Sequence, residues 1–126
     1  MLLSDLQGLL MCEVFTGEEH LDRPVIYGCA SDLMSDVLAF SRAGALLLTG
    51  LVNVQTVQTA FIAELAAIVV VRGKKPDKTV QALALEKGIP LLGTPYSMYE
   101  ACGILYRVGI PSTMTCSTDL ASTKST

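Results

Sequence analysis

Three short apolar segments in the second half of the chain, at residues 45–49, 67–71 and 90–92, are each followed by a turn and a helical pattern. The turns carry glycine or proline, and the helices show apolar residues three and four positions apart. Uninterrupted apolar strands separated by amphipathic helices are typical of parallel sheets whose two faces are both covered. The pattern therefore predicts an α/β fold, a layered sandwich with a mainly parallel sheet flanked by helices.

The first third of the chain is less regular. A short helix is predicted near residues 4–10, and strands are predicted at residues 12–15 and 25–30. A second helix is expected to begin with Ser31 as its N-cap and to end near Gly44, which suits a C-terminal turn. These elements precede the three strand–helix units, and the sequence leaves open whether the strand at residues 25–30 runs parallel to the later strands.

The composition supports one folded domain followed by a polar tail. Of the 126 residues, 51% are hydrophobic and the mean hydropathy is +0.50, which is enough for an apolar core. Nine of the last fifteen residues are serine or threonine. We therefore predict an α/β domain over residues 1–110 and a flexible tail over residues 111–126.

Charge and hydropathy narrow the classes of partner. The net charge is −3 and the sequence pI is about 5.0, so the chain lacks the basic face that nucleic-acid binding requires. The longest apolar stretches are far shorter than the roughly 20 residues that span a bilayer, and the N-terminus lacks a signal-peptide pattern. We expect a cytoplasmic protein that binds neither nucleic acid nor membranes.

The cysteines and the single histidine predict neither a metal site nor a cofactor. The four cysteines, at positions 12, 29, 102 and 116, form no C-x-x-C pair, and His20 is the only histidine. Zinc sites need closely spaced soft ligands, which this set does not provide. In a reducing cytosol these thiols are expected to remain free.

Polar and charged residues recur directly after the predicted strands, at residues 49–53, 72–77 and 93–97. In parallel α/β sheets, ligands bind outside the carboxyl ends of the strands, where loops lead into helix N-termini. The middle loop supplies positive charge and the other two supply glycines and hydroxyls, so a small polar or anionic ligand is predicted there. The predicted ligand-binding residues are Ser31, Asp32, Thr49, Gln55, Arg72, Gly73, Lys74, Thr94 and Ser97.

The same loops also have a purely structural interpretation. Glycine and proline end strands, Asp77 and Ser97 can cap the following helices, and the lysines can lie in a solvated turn. The segment VVVRGKKPDKT, residues 69–79, lacks the G-x-x-x-x-G-K-[ST] spacing of a phosphate-binding P-loop, and no G-x-G-x-x-G motif occurs. The basic loop could bind an anion, but no nucleotide-hydrolysis machinery is predicted.

Groups able to perform acid–base catalysis are sparse. His20 lies in a turn that is predicted to be exposed, which leaves a serine or cysteine nucleophile without a well-placed base. Asp32 and Asp36 are four residues apart and are expected to share a helix face, where they could bind a divalent cation. A solvated helix face is the ordinary alternative for such a pair. No enzyme activity is predicted.

Four segments resemble those of a stand-alone DRTGG domain, a module similar in fold to the N-terminal domain of HPr kinase/phosphorylase. The segments are GEEHLDR (17–23), GCASDLMSDV (28–37), RGKKPD (72–77) and GIPLLGTPYS (88–97). The resemblance extends from about residue 2 to residue 110. In the motif that names the family, Asp22, Arg23 and Gly28 match, whereas Ile26-Tyr27 stands in place of the expected Thr-Gly.

This resemblance implies a non-catalytic regulatory module. In the family, kinase activity belongs to a separate P-loop domain, and the DRTGG segment accompanies nucleotide-sensing domains and contributes to dimerisation. The partners that the resemblance implies are a small anionic metabolite, such as an adenine nucleotide or an acyl phosphate, and a second copy of the chain in a homodimer. A partner enzyme is also compatible with it.

Two other roles stay open at this point. The chain could be a ligand-independent protein-interaction subunit of a larger signalling or metabolic complex, for example one associated with a hydrogenase. Its apolar interface would then lie on the first helix or on residues 96–99. The third alternative is a metal-dependent enzyme that uses Asp32 and Asp36.

Overall fold

The computed structural model describes residues 1–113, which contain five helices, one short 3-10 helix and five strands. No helix in this part of the chain has the length and apolar character needed to cross a membrane. The elements, in chain order, are α1 (Leu3–Leu9), β1 (Glu13–Thr16), the 3-10 helix (Glu18–His20), β2 (Tyr27–Ala30), α2 (Met34–Phe40), β3 (Ala45–Thr49), α3 (Val54–Ile62), β4 (Ala67–Val70), α4 (Lys78–Lys87), β5 (Leu91–Gly93) and α5 (Met98–Arg107).

The strands form one sheet in the order β1-β5-β4-β3-β2. The four strands β2, β3, β4 and β5 run parallel to one another, and β1 pairs antiparallel with β5 at one edge. Helices α1 and α5 cover one face of the sheet, and α2, α3 and α4 cover the other. The predicted α/β sandwich with a mainly parallel sheet is therefore confirmed.

The central strands are apolar throughout because both of their faces are buried. In β3, Leu46 and Leu48 pack in the core beneath α1 and α5, while Leu47 packs in the core beneath α2, α3 and α4. All three side chains are at most 1% exposed. Neither face meets water, so the alternation of polar and apolar residues that marks a half-exposed strand is absent.

Three helices begin at a side-chain N-cap. Asn53, Asp77 and Ser97 each accept a hydrogen bond from the backbone N–H three residues later, at 3.0, 2.9 and 3.2 Å. Such caps satisfy backbone donors that the first helical turn leaves unpaired. Asp77 and Ser97 thus have the capping roles that the structural interpretation of these loops expected.

The predicted N-cap of the second helix is wrong. Helix α2 begins at Met34, and Ser31 lies in the preceding turn, where its hydroxyl accepts a hydrogen bond from the Leu33 N–H at 3.0 Å. A serine hydroxyl can accept from the amide two residues later in a turn as readily as from an amide in the first turn of a helix. The sequence spacing alone did not distinguish a turn from an N-cap. Asp32 therefore precedes α2 and does not share a helix face with Asp36.

Residues 111–113 run beside the outer edge of β2. The Gly28 N–H donates to the Pro111 carbonyl at 2.8 Å, and the Thr113 N–H donates to the Gly28 carbonyl at 3.3 Å. The domain boundary at residue 110 stays a prediction. The flexible tail predicted for residues 111–126 lies outside the described residues from position 114 onward.

Candidate functional site

The carboxyl ends of the four parallel strands lie along one edge of the sheet. The loops that follow them are, in order across this edge, residues 94–97, 71–77, 50–53 and 31–33. The structure therefore brings the predicted ligand-binding residues to one edge, since each of them lies at a strand end, in one of these loops or in the first turn of α3. We call this edge the loop edge.

The loops after β4 and β5 are joined by backbone hydrogen bonds. Their helices, α4 and α5, lie on opposite faces of the sheet, an arrangement that commonly opens a ligand crevice between the two loops. Here the Arg72 N–H donates to the Tyr96 carbonyl at 2.8 Å, and the Gly73 N–H donates to the Thr94 carbonyl at 2.9 Å. These two amides are thus occupied and are not available to an anion at this loop.

Gly50 is bound on both sides of its backbone by charged side chains. Asp32 Oδ1 accepts hydrogen bonds from the Gly50 N–H at 2.6 Å and from the Thr49 hydroxyl at 3.1 Å. On the other side, Lys74 Nζ donates to the Gly50 carbonyl at 2.7 Å. Three separate loops are thereby linked through one residue, which fixes the relative positions of Asp32 and Lys74.

The guanidinium of Arg72 lies over Gly50. A Cβ atom placed on Gly50 would be 2.8 Å from Arg72 Nη2 and 3.4 Å from each carboxylate oxygen of Asp32, so a larger residue would displace the guanidinium from this position. Arg72 is exposed, and within residues 1–113 its guanidinium makes no hydrogen bond or ion pair. An unpaired cation is therefore held close to the backbone at the centre of the loop edge.

Arg72 also has an unusual backbone conformation. Its φ is +63°, in the left-handed region, and the following Gly73 has φ +68°. A non-glycine residue in this region costs of order 1–2 kcal/mol, and such residues are concentrated at functional sites. The two backbone hydrogen bonds to residues 94 and 96 hold this conformation in place.

Two of the predicted ligand-binding residues have no exposed surface. Thr49 and Thr94 are both 0% exposed, and their hydroxyls are used internally. The Thr49 hydroxyl donates to Asp32 and accepts from the Leu51 N–H at 3.0 Å, and the Thr94 hydroxyl donates to the Leu10 carbonyl at 2.5 Å. Both residues support the loop edge from its buried side.

The other predicted residues reach solvent to different degrees. Gln55 is exposed in the first turn of α3, and Ser31 is partly buried in the turn before α2. Ser97 is occupied as the N-cap of α5. Among the predicted set, Arg72 and Lys74 are therefore the exposed cations, with Asp32 beside them.

A second opening adjoins the basic loop on the side of β1, and the sequence did not predict it. It is a cavity of about 230 Å³, lined by Met11, Glu13, Phe15, Gly73, Lys74, Lys75, Gly93, Thr94 and Pro95. At its rim, Lys75 Nζ pairs with Glu13 Oε1 at 2.8 Å and lies over the ring of Phe15. Only the antiparallel pairing of β1 with β5 brings these residues together, and strand pairing cannot be read from local periodicity.

Arg23, one of the residues that match the DRTGG motif, lies at the opposite edge of the sheet. Arg23 Nη1 donates to the Ala66 carbonyl at 3.1 Å, directly before β4, and the Arg23 carbonyl accepts from the Leu3 N–H at 2.9 Å. Arg23 thus links α1 to the amino-terminal end of the sheet. These contacts of Arg23 are separate from the loop edge.

The described residues provide little for metal or nucleophilic chemistry. Within residues 1–113 no group of three or more His, Cys, Asp or Glu side chains could bind a metal ion. Burial raises the pKa of Cys12 to about 12 and that of Cys29 to about 11, and it also raises the pKa of Cys102. Because the thiolate is the reactive form of cysteine, these thiols are poor nucleophiles at neutral pH.

Thiol labelling in the folded protein should reflect this burial. At pH 8, Cys29 is expected to react with a disulfide reagent at least about 100-fold more slowly than in denaturant, because a pKa of about 11 instead of 9.0 leaves a hundredth of the thiolate. Cys12 should react more slowly still. Peptide mass spectrometry after timed labelling measures both rates, and rapid labelling of Cys12 in the folded protein would contradict its burial.

Comparison with known proteins shows a shared fold. No protein-family model matches the sequence, and no curated protein matches it. Among solved structures, the chain is similar to the CBS and DRTGG domains of the regulatory region of Clostridium perfringens pyrophosphatase, complexed with the activator diadenosine tetraphosphate. The TM-score is 0.70 with 18% identity, over 98% of this chain and 59% of that one. This chain thus spans less than two thirds of the neighbour's length.

Proposed function

We propose that this protein is a non-catalytic regulatory module that binds a small anionic metabolite or nucleotide at the Arg72–Lys74 loop and functions as a homodimer. The observation that carries the proposal is the guanidinium of Arg72, which is exposed over Gly50 and has no hydrogen-bond or ion-pair partner among residues 1–113. Unpaired arginines that are positioned by strained backbone are typical of sites for oxyanions.

The chemistry of the loop suits a phosphate group. A guanidinium presents a planar set of donors that matches two phosphate oxygens, and charge-assisted hydrogen bonds of this kind are about twice as strong as neutral ones. Lys74 uses one of its three N–H donors on the Gly50 carbonyl, which leaves two for a ligand. The ligand class we favour is therefore an adenine nucleotide or an acyl phosphate.

The surrounding residues supply orientation. Asp32 and Arg72 both lie within 3.4 Å of the position that a Cβ atom on Gly50 would take, and the negative charge of Asp32 favours the guanidinium there. Gln55, in the first turn of α3, and Ser31, in the turn after β2, lie on the same edge of the sheet and offer neutral polar groups for the uncharged part of a ligand. Thr49 and Thr94 support the loops from within and are not expected to contact the ligand.

The structural neighbour is consistent with this class of ligand. It is a regulatory region in complex with a dinucleotide activator, and it shares the fold described above. Diadenosine tetraphosphate is therefore one of the compounds to test first. The binding residues that we propose rest on the geometry of this chain alone.

Calorimetric titration of the full chain tests the proposal. The panel is AMP, ATP, diadenosine tetraphosphate, acetyl phosphate and inorganic phosphate, with thermal unfolding as a second measurement. A ligand at one hundred times its dissociation constant is expected to stabilise the fold by about 2.7 kcal/mol. A saturable signal from one class supports a metabolite sensor, and no signal from any of them contradicts ligand binding.

Arg72→Asn is the variant that locates the site. Asparagine tolerates the left-handed backbone, so the fold should be retained while affinity falls at least about tenfold through loss of the charged contact. Lys78→Asn is the matched control, because it removes another exposed cation of the same region outside the loop. Equal losses of affinity in the two variants would indicate only a general charge effect.

A ligand-independent role is the second candidate, and exposed apolar residues favour it. On the outer surface of α5, Tyr99 and Tyr106 are 89% and 78% exposed. Such residues are typical anchors of protein interfaces. If the titrations show no binding, the favoured function is that of a protein-interaction subunit. This surface would then contact a partner enzyme or a second copy of the chain.

A further inference from the structure

Helix α5 presents an unusually exposed aromatic surface. Tyr99 and Tyr106 are seven residues apart, almost two full helical turns, so they lie on the same side of the helix. At 89% and 78% exposure, their rings are nearly surrounded by solvent. Tyrosines in this state lose most of their possible packing contacts, and tyrosine is among the residues most enriched where proteins meet.

A glycine lies between the two tyrosines. A Cβ atom placed on Gly103 would meet no heavy atom within 4 Å, so the helix surface is open at this point. The depression around it has a volume of about 600 Å³ and is lined by Tyr99, Glu100, Cys102, Gly103, Ile104, Tyr106 and Arg107. An open glycine in the middle of a helix allows another helix to approach closely, as small residues do at helix crossings.

Two opposite charges complete this surface. Glu100 lies three residues before Gly103, and Arg107 lies four residues after it. At 3.6 residues per turn they fall on one flank of Gly103, while Tyr99 and Tyr106 fall on the other flank. Both charged side chains are exposed, and within residues 1–113 they do not form an ion pair with each other.

We propose that α5 pairs with α5 of a second copy of this chain, antiparallel, about a two-fold axis at Gly103. A two-fold operation of this kind reverses the direction along the helix and keeps the flank. Glu100 then meets Arg107 of the second copy, and Tyr99 meets Tyr106 of the second copy. Each contact occurs twice, and the two glycines face each other at the centre.

The spacing along the helix makes this arrangement self-complementary. With a rise of about 1.5 Å per residue, Glu100 and Arg107 lie about 4.5 and 6 Å from Gly103 on opposite sides, so reversal places them within about 1.5 Å of the same height. The tyrosines match in the same way. A parallel two-fold pair would instead exchange the flanks, so that Glu100 would face Tyr99 and Arg107 would face Tyr106 of the second copy. Neither ion pair would form in that arrangement.

This contact deepens the dimerisation part of the proposed function and is independent of its ligand-binding part. The loop edge and the outer surface of α5 share no proposed contact residue. A dimer that fails to bind anions would therefore leave the α5 contact intact. A monomer that binds an anion at Arg72 would overturn the α5 contact but not the ligand-binding part of the proposed function.

Charge reversal in the full chain is the test. Sedimentation equilibrium under reducing conditions should show a dimer of the native protein, and Glu100→Arg or Arg107→Glu alone should weaken it at least about tenfold, because each change creates two like-charge contacts. The double exchange, Glu100→Arg with Arg107→Glu, should restore affinity to within about threefold of the native value, since it recreates both pairs. A monomeric native protein, unaffected single variants or an unrestored double variant would each overturn the proposal.

Gly103→Gln distinguishes an effect on the α5 contact from an effect on the stability of the fold. Glutamine is a better helix former than glycine and has space at this position, so the thermal midpoint of the isolated chain, measured at low concentration, should rise. Its side chain fills the point of closest approach, so dimer affinity should fall at least about tenfold. A variant that dimerises as well as the native protein would place the contact elsewhere.

Discussion

Replacement of Gly17 by alanine is expected to lower the free energy of unfolding by about 3 kcal/mol, because it combines backbone strain with overpacking. Gly17 has φ +88° and lies where β1 ends and the 3-10 helix begins. An added Cβ atom would lie 2.6 Å from Pro90 Cα and 2.8 Å from Pro90 Cβ. Pro90 directly precedes β5, so neither backbone can move without disturbing the pairing of β1 with β5.

Gly88→Ala is the matched control for this prediction. Gly88 has φ +68° at the end of α4, and a Cβ atom there would meet nothing within 4 Å. The control therefore measures the conformational cost alone, about 1 kcal/mol. Urea unfolding of both variants measures the difference. Losses that agree within about 0.5 kcal/mol would show that the contact with Pro90 is relieved by local adjustment.

The parallel part of the sheet could be predicted because burial on both faces leaves a local signal. Strands β3 and β4 are uninterrupted apolar segments, and each helix that follows them has a recognisable beginning. The periodicity predicted where the helices lie more reliably than it predicted which of their side chains are buried. In α3, for example, Val54 and Phe61 follow the apolar spacing, yet they are 39% and 49% exposed because the stripe is wider than the buried face.

The contacts across the loop edge could not be predicted in the same way. Arg72, Gly50 and Asp32 come from three loops, and their meeting depends on side-chain directions that spacing does not determine. The sequence correctly places Gly50 and Arg72 after strands, but it places Asp32 within the second helix, which begins only at Met34. It does not indicate that the Arg72 and Gly73 amides are already used by the next loop, or that Thr49 is buried.

Thr94 illustrates this limit. A hydroxyl after a glycine at a strand end suggests a ligand contact, but the side chain is 0% exposed. It donates to the Leu10 carbonyl at 2.5 Å and accepts from the Tyr96 N–H at 3.3 Å, joining the end of α1 to the loop that supports Arg72. The buried hydroxyl thus acts on the loop edge only through the position of the backbone.

Thr94→Val is therefore expected to destabilise the fold by about 2–3 kcal/mol, although valine has almost the same shape. The change leaves the buried Leu10 carbonyl and the part-buried Tyr96 N–H without their partner. Thr94→Ser keeps the hydroxyl and removes one methyl group, so it should cost only about 1 kcal/mol. Urea unfolding of the two variants gives the comparison.

The same pair of variants tests whether Thr94 supports the basic loop. Because the Arg72 and Gly73 amides donate to the carbonyls of residues 96 and 94, a loosened loop should increase their hydrogen exchange with solvent in Thr94→Val and much less in Thr94→Ser. Amides in the middle of β3 serve as the internal reference, since this strand is fully buried and its amides are expected to exchange only through global unfolding. A serine variant as unstable as the valine variant would mean that the methyl group contributes as much as the hydroxyl to this part of the loop edge, which contradicts the prediction.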